Sequence, residues 1–95
     1  MPFARQLVWD PRNVAHIARH RVTWREVEEV SRGDYVERQS YMLRVILIGP
    51  TNTGRVLSVI LEDKGDGLYY VVTARPASRR ERRFYRQQKG GNGHV

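Results

Sequence analysis

The chain has 95 residues, a formal net charge of +7 and no cysteine. This length predicts a single domain, and the lack of cysteine excludes a disulfide framework and thiolate metal sites. The longest apolar run, "VILIGP", is too short to span a bilayer, and the first ten residues show no signal-peptide pattern. We therefore expect a soluble, cytoplasmic protein that does not bind membranes.

The N-terminal third predicts one strand followed by two short helices. The stretch "ARQLVW" reads as a short first strand, and Asp10 with Pro11 predicts the start of a helix over "DPRNVAHIARH". Thr23 and Glu26 have the spacing of a capping box, and the second helix is expected to end at Gly33. The two helices should meet near residues 20–22.

The middle of the chain predicts three long strands. Alternation in "YMLRVILIG" places Leu43, Val45 and Leu47 on one face of the first of them. The other face should hold Met42, Arg44, Ile46 and Ile48. The turn "PTNTG" leads to the strand "RVLSVILE", and "DKGDG" leads to the strand "LYYVVTAR". Connections this short allow only antiparallel pairing, which predicts a meander.

The C-terminal part predicts a third helix and a tail. Ser78 and Glu81 have the spacing of a second capping box, at the start of a helix over "SRRERRFYRQQ", and "KGGNGHV" has the composition of a disordered segment. We expect one domain over residues 1–88 and a disordered tail over residues 89–95. The predicted fold class is α+β. A small antiparallel sheet, made of the short N-terminal strand and the meander, is flanked by two N-terminal helices and one C-terminal helix.

Most of the excess positive charge lies near the C-terminus. Residues 75–89 hold seven basic residues and one acidic residue, a net charge of +6, whereas the rest of the chain has a net charge of +1. Fifteen of the seventeen basic residues are arginine, whose planar guanidinium group suits phosphate and carboxylate. This segment predicts an anionic partner, with a solvated helix face as the alternative.

Three stretches resemble a known family. "VWDPRNVAHIARHRVTWREVEEV", "GRVLSVILE" and "TARPASRRERRFY", which contains Glu81, Arg82 and Tyr85, follow the order of motifs in the BrnT-type toxins of bacterial toxin–antitoxin systems. The resemblance covers residues 7 to about 86. It implies a fold like that of the RelE and ParE toxins, ribonuclease activity without a metal, and neutralisation by an antitoxin encoded beside the toxin.

One residue departs from the family pattern. The family usually has glycine after the second histidine, where this chain has Arg21. Glycine at this position would serve a left-handed helix end. Arg21 therefore implies either strain or a different joint between the two helices.

Arginine is the first candidate for the chemistry of RNA cleavage. Internal attack by a 2′-oxygen needs positioning, and stabilisation of charge on the phosphoryl oxygens. We select Arg75, which ends the last strand and is expected to share a strand face with Tyr69, Val71 and Thr73. Arg44 and Arg55, on or beside neighbouring strands, are expected to converge with it. Each is equally well explained as a surface arginine on an open sheet face.

Other side chains are candidates with structural alternatives. His16 and His20 share a helix face, and a histidine can move a proton near neutral pH, although His20 is equally well explained as a cap of the helix end. No third metal ligand accompanies them, so we expect no metal and no cofactor. Glu81 is a candidate base that its capping box also explains. Tyr85 either stacks on a base or anchors the helix.

The sequence leads to a function and two alternatives. We expect an endoribonuclease toxin whose RNA is bound by Arg79, Arg80, Arg82, Arg83 and Arg86. Its antitoxin should present an acidic segment to this last helix. The expected assembly is either a toxin–antitoxin hetero-oligomer or a homo-oligomer of the toxin. An apolar groove around Trp24 and Val27 is the alternative docking site. The alternative functions are a non-catalytic module that binds nucleic acid or protein, and a ParE-like toxin that acts on gyrase.

Overall fold

The computed structural model describes residues 5–92. In chain order the elements are β1 Gln6–Val8, α1 Pro11–Ala18, α2 Trp24–Arg32, β2 Val36–Gln39, β3 Arg44–Pro50, β4 Val56–Gly65, β5 Leu68–Pro76 and α3 Arg79–Asn92. Within these residues, five strands form one sheet in the order β1-β5-β4-β3-β2. The α+β class with three helices is confirmed. No helix of the described part is long and apolar enough to cross a membrane.

The sheet is mixed, not purely antiparallel. Strands β3, β4 and β5 form the predicted antiparallel meander. Strand β1, however, pairs in parallel with β5, with Leu7 opposite Tyr69. The prediction of an entirely antiparallel sheet was therefore wrong for this strand. Parallel pairing is possible because two helices and three strands separate β1 from β5 in the chain, so no tight turn constrains their directions.

Strand β2 was not predicted. Its sequence, "VERQ", is largely polar, and its last three side chains are exposed, so it lacks the apolar alternation that marks a half-buried strand. It joins the sheet through backbone pairing with β3, from Val36 opposite Ile48 to Gln39 opposite Val45. Charged and polar side chains are typical of an edge strand, because they discourage pairing with another chain.

Two hairpin turns lie at one end of the sheet. The predicted strand "YMLRVILIG" starts only at Arg44, because Met42 and Leu43 have φ angles of 60° and 63° and form the turn between β2 and β3. Both side chains are exposed and not on strand faces as predicted. Asp66 and Gly67 form the corresponding turn between β4 and β5, which is shorter than "DKGDG". Two consecutive positive φ angles are typical of type I′ hairpin turns.

The main hydrophobic core lies on one face of the sheet, which we call the core face. Its strand residues are Leu7, Val45, Leu47, Leu57, Val59, Leu61, Tyr69, Val71 and Ala74. Helices α1 and α2 cover this face with Ile17, Val27 and Val30, and Val22 from the joint between them adds to the cover. Because side chains alternate along a strand, Ile48 and Ser58 point to the opposite face, which we call the outer face. Helix α3 packs there against β2 and β3.

Asn13 fixes the junction of α1 with the sheet. Its side-chain Oδ1 accepts the backbone N–H of Asp10 at 2.9 Å, and Asp10 Oδ1 accepts the backbone N–H of Asn13 at 2.8 Å. The buried Asn13 amide nitrogen also donates to the carbonyl oxygens of Val8, at 2.9 Å, and Val71, at 3.2 Å. One side chain thus caps α1 and links it to β1 and β5.

Arg21 occupies a left-handed position at the joint between α1 and α2. Its φ angle is 59°. The N–H of Val22 donates to the carbonyl of Ile17, and the N–H of Arg21 donates to the carbonyl of Ala18. These two bonds define a Schellman motif with Arg21 at the position that glycine usually takes, and Val22 and Ile17 supply its buried apolar contact. The joint thus keeps the geometry that glycine would serve, and Arg21 adopts it with backbone strain.

Arg5 closes the core at one end. It donates to the Tyr35 hydroxyl at 2.8 Å and to Glu37 at 2.6 Å, and its guanidinium lies 4.9 Å from the ring centre of Tyr69. Arg5 precedes β1 and Glu37 lies in β2, the two edge strands. A flat sheet would hold these edges about 19 Å apart. The contact therefore requires the sheet to curve around its core.

Helix α3 docks on the outer face and is longer than predicted. Phe84 is half-buried and lies under the Arg38 guanidinium, 5.0 Å from it. The Tyr85 hydroxyl donates to the carbonyl of Asp34 at 2.8 Å, and Lys89 pairs with the Asp34 carboxylate. The helix continues to Asn92, so residues 89–92, which the sequence assigned to a tail, are helical. Residues 93–95 lie outside the described residues.

Replacing Arg21 by glycine should stabilise the protein. A non-glycine residue in the left-handed region costs roughly 1–2 kcal/mol, part of which is offset because glycine loses more entropy on folding. We expect Arg21→Gly to raise the free energy of unfolding by about 0.5–1 kcal/mol in urea titrations. Arg25→Gly, which removes the same charge from a right-handed helical position in the first turn of α2, should lower it by up to about 1 kcal/mol. Equal losses from both variants would refute the strain at Arg21.

Candidate functional site

Arg75 and Glu81 form a bidentate ion pair where β5 leads into α3. The two terminal guanidinium nitrogens of Arg75 donate to the two carboxylate oxygens of Glu81 at 2.7 and 2.8 Å. Glu81 also accepts the backbone N–H of Ser78 at 2.8 Å, and Ser78 Oγ accepts the backbone N–H of Glu81 at 3.1 Å. The predicted capping box is therefore present. The Arg75 side chain is 39% exposed and that of Glu81 is 13% exposed.

The ion pair decides which chemistry Glu81 can perform. Arg75 is the main cause that holds the pKa of the Glu81 carboxyl at about 2, well below its ordinary value, and Glu81 in turn raises the pKa of Arg75. A carboxylate with so low a pKa is a weak proton acceptor near neutral pH. The geometry therefore favours a positioning role for Glu81, which orients the Arg75 guanidinium.

A β-bulge decides which side chains share a face with Arg75. Ile60 pairs with Thr73, and the next residue, Leu61, pairs with Val71, so Val72 is the extra residue of the bulge. The bulge shifts the alternation along β5. Tyr69 and Val71 lie in the core, and not on the face of Arg75 as predicted. Arg75 shares the outer face with Tyr70 and Thr73. On β4 these three residues pair with Ser58, Glu62 and Ile60, respectively.

The other two candidate arginines do not converge with Arg75. Arg55 lies on the side of the core face, where it binds the Glu26 carboxylate at 3.0 Å and the carbonyl of Arg21 at 2.8 Å. Arg44 lies on the outer face but opposite Glu62, four residues along β4 from the partner of Arg75. That separation is about 14 Å along the strand. Arg55 is thus held in a structural contact, and Arg44 stands apart.

The two candidate histidines lie together on α1 and the turn that follows. The ring centres of His16 and His20 are 5.7 Å apart, with an edge-to-face arrangement. Both side chains are exposed. Among residues 5–92, no group of three or more histidine, aspartate or glutamate side chains could hold a metal ion. No contact within the same residues joins either histidine to Arg75.

Helix α3 presents a surface of uncompensated positive charge. Its exposed arginines, which we call the α3 arginines, are Arg79, Arg80, Arg82, Arg83 and Arg86. Within the described chain none of them forms an ion pair, and the one hydrogen bond from their side chains joins Arg82 to the carbonyl of Ala77 at 2.9 Å. Tyr85 is half-buried and bonded to Asp34, so the structure favours the anchoring explanation for it over stacking on a base.

A groove between α1 and β5 was missed from the sequence. It has a volume of about 310 Å³ and is lined by Arg12, Asn13, Ala15, His16, Arg19, Tyr70 and Val72. We call it the α1–β5 groove. The spacing of Arg12, His16 and Arg19 places them on one face of α1, and this signal was available in the sequence. The positions of Tyr70 and Val72 in the groove could not be predicted from the sequence, because the bulge in β5 determines where these side chains point.

A second groove lies between α1 and α2 and is more apolar. Its lining consists of Val14, Ala18, Val22, Thr23, Trp24 and Arg25, around a volume of about 410 Å³. Trp24 is 46% exposed, whereas Val27 is completely buried in the core. The groove predicted around Trp24 and Val27 thus exists at Trp24, but Val27 has no part in its surface.

These features define a small α+β protein whose curved mixed sheet carries two helices on its core face and an arginine-rich helix on its outer face. A solved structure with a similar fold is that of the Brucella abortus ribonuclease toxin, BrnT. The TM-score is 0.63 at 23% sequence identity, and the alignment covers 80% of this chain and 100% of that chain. No protein-family model and no curated protein matches the chain. The resemblance inferred from the sequence motifs is confirmed in the fold.

The Arg75–Glu81 pair predicts a pH dependence of stability. Because the folded state lowers the pKa of Glu81 from 4.5 to about 2, the pair stabilises the protein fully above pH 4.5 and less as the pH falls towards 2. Glu81→Gln keeps a capping residue but removes the charge. We expect it to cost about 1–2 kcal/mol at pH 7, after allowance for the solvent exposure of Arg75.

Urea titrations from pH 7 to pH 3 would check this prediction. The difference between Glu81→Gln and the unaltered protein should shrink as the pH falls below 4.5, because the Glu81 carboxyl of the unfolded state takes up a proton while that of the folded state stays charged. Glu62→Gln is the matched control, since Glu62 forms a surface pair with Lys64 at 3.5 Å. A constant difference over the whole pH range would mean that the charge of Glu81 does not stabilise the fold.

Proposed function

We propose that the chain is the toxin of a type II toxin–antitoxin system, and that it is a metal-independent endoribonuclease acting in the cytoplasm. The observation that carries this proposal is the similarity of fold to a ribonuclease toxin over the full length of that structure. The uncompensated α3 arginines support it, because phosphate groups are their natural counterions. Arg75, held at the end of a strand, supplies a rigidly placed guanidinium beside this surface.

The proposed reaction needs no metal. The 2′-hydroxyl of the substrate gives up its proton and its oxygen attacks the adjacent phosphorus. The bond from phosphorus to the 5′-oxygen breaks, and the departing oxygen takes a proton from water, which leaves a 2′,3′-cyclic phosphate and a 5′-hydroxyl. Negative charge grows on the two non-bridging oxygens in the transition state. A guanidinium has five N–H donors, and Glu81 occupies two of those of Arg75, so the others remain for these oxygens. His16 and His20 are the candidates for moving the 2′-hydroxyl proton.

Cleavage of defined RNA by the purified protein would test the proposal. We expect cleavage in the presence of EDTA, cyclic phosphate ends, and no cleavage of the same sequence as DNA. Arg75→Ala should slow cleavage about 10²- to 10³-fold, which is typical for loss of one donor that stabilises developing negative charge. Arg25→Gln, on an exposed face of α2, is the charge-matched control and should retain activity.

Two results would contradict the proposal. Activity that disappears with EDTA and returns with added zinc would exclude the metal-independent mechanism. Binding of RNA without any cleavage would favour a second function, a non-catalytic nucleic-acid-binding module. The position of Arg75 favours that second function, since its guanidinium is paired with the Glu81 carboxylate and lies apart from the two histidines.

We further propose that an antitoxin covers α3 with an acidic segment. An exposed arginine-rich helix would bind cellular RNA indiscriminately, and carboxylates offer complementary charge. Arg79, Arg82 and Arg86 lie three and four residues apart and therefore share one helix face. This face is the expected contact, in a toxin–antitoxin hetero-oligomer.

Replacing two of these arginines should weaken the complex. Truncating one partner of an arginine–carboxylate pair at a partly buried interface costs roughly 2–5 kcal/mol, so Arg79→Gln/Arg86→Gln should raise the dissociation constant at least tenfold in calorimetry. Val14→Ser/Trp24→Ala, in the apolar groove between α1 and α2, is the comparison. If this second variant loses binding while α3 still exchanges its amide hydrogens freely in the complex, the antitoxin docks in that groove instead.

A further inference from the structure

The α1–β5 groove has a regular arrangement of charge and rings. One wall is lined by Arg12 and His16 of α1 and by Arg19, the C-cap of that helix, and the other wall is lined by Tyr70 and Val72 of β5. Arg12 and Arg19 are seven residues apart, which corresponds to about 10 Å along a helix. The groove therefore has a cation near each end, with an imidazole, a phenol and an apolar side chain between them.

The walls of the groove are held rigidly. The Tyr70 hydroxyl donates to the Asp10 carboxylate oxygens at 3.1 and 3.3 Å, and Asp10 caps α1. The Asn13 side-chain amide also links the same helix to β5, because it donates to the backbone carbonyl of Val71. Burial, together with the nearby Asp10 charge, raises the pKa of Tyr70, so the phenol stays neutral. Asp10 is already engaged by two donors and is not a free carboxylate at the groove entrance.

The arginines of this groove differ from those that stabilise the fold. Arg5, Arg32, Arg55 and Arg75 each pair with a carboxylate. The side chains of Arg12 and Arg19 form no hydrogen bond or ion pair among residues 5–92, and both are exposed. The Asp10 carboxylate lies near Arg12, which helps to lower the pKa of Asp10, but its oxygens accept hydrogen bonds from Asn13 and Tyr70 instead. Their guanidinium groups are therefore available to an anionic ligand.

The groove leads along β5 to Arg75. Because of the bulge at Val72, Tyr70 and Arg75 lie on the same face of the strand. Arg75 follows Val72 by three residues, about 10 Å along a strand. A ligand that starts between Arg12 and Arg19 and follows the strand would therefore reach the Arg75 guanidinium. Such a ligand would also bring together His16 and Arg75, which do not touch each other.

We propose that the α1–β5 groove binds a segment of single-stranded RNA, with phosphates on Arg12 and Arg19 and a base between His16 and Tyr70. This inference rests on the proposed ribonuclease function and names where its substrate lies. A charged groove interleaved with rings is the arrangement that binds single strands, because every base has a face that stacks on an aromatic ring. An acidic peptide would need the arginines but not the rings and the apolar floor.

Binding measurements with an uncleavable strand would test the groove. The probe is a short, fluorescently labelled 2′-O-methyl RNA, read by anisotropy over a range of salt concentrations. Arg12→Gln/Arg19→Gln should weaken binding at least fivefold and reduce the slope of log affinity against log salt by about 1.4, since each phosphate contact on a single strand contributes about 0.7. Arg25→Gln/Arg32→Gln removes the same charge from α2 and should change the affinity less than twofold.

A second pair of variants tests the ring. Tyr41→Leu removes an exposed ring beside the turn between β2 and β3, on the opposite edge of the sheet, and should bind within twofold of the unaltered protein. Tyr70→Leu should weaken binding at least fivefold. Thermal melts followed by circular dichroism identify any variant that is unfolded, and the arginine variants lie on the surface and leave the core intact.

The outcomes separate this inference from the proposed function. If the protein cleaves RNA but the groove and control variants bind the probe equally, the groove assignment is wrong and the ribonuclease function stands. If the groove variants bind weakly but the unaltered protein cleaves nothing, the groove assignment stands and the ribonuclease function fails. If the arginine variant binds RNA normally but loses affinity for an acidic peptide, the ligand is a protein and the RNA assignment is overturned.

Discussion

The Asn13 amide holds α1, β1 and β5 at one point, and the surroundings of the candidate site depend on it. It caps the helix through Asp10 and reaches the backbone of both strands from a buried position. A buried amide that loses its partners costs roughly 1–3 kcal/mol for each unsatisfied group, so the helix cannot shift without a large penalty. The position of α1 in turn sets the width of the α1–β5 groove and the distance between its arginines and Tyr70.

Arginine has two separate roles in this chain, and partners distinguish them. Arg55, in the turn between β3 and β4, pairs with Glu26 of α2. Arg5, which precedes β1, pairs with Glu37 of β2 and so joins the two edges of the sheet. Among residues 5–92, the arginines of α3 and of the groove form no ion pair with a carboxylate, although Arg12 lies near Asp10. The acidic residues are thus used where the fold needs them, and the remaining positive charge is left on two surfaces that flank the outer face.

Local features of the fold could be predicted from the sequence, and features that depend on distant contacts could not. The capping boxes at Thr23 and Ser78 and the meander follow from short-range patterns, and all are present. The parallel pairing of β1 and the polar strand β2 depend on backbone contacts that leave no apolar signature. The bulge at Val72 reverses the face of every residue before it, which is why the neighbours predicted for Arg75 were wrong.

The turn between β2 and β3 gives the protein a chemically reactive tip. Asp66 and Gly67 suit a left-handed turn, whereas Met42 and Leu43 adopt the same conformation with side chains that are 74% and 71% exposed. A thioether so open to solvent is readily oxidised to the sulfoxide. Oxidation there would turn an apolar tip polar without touching the core. Samples handled in air would thus acquire a mixture of surfaces at this end of the sheet while their folding remained uniform.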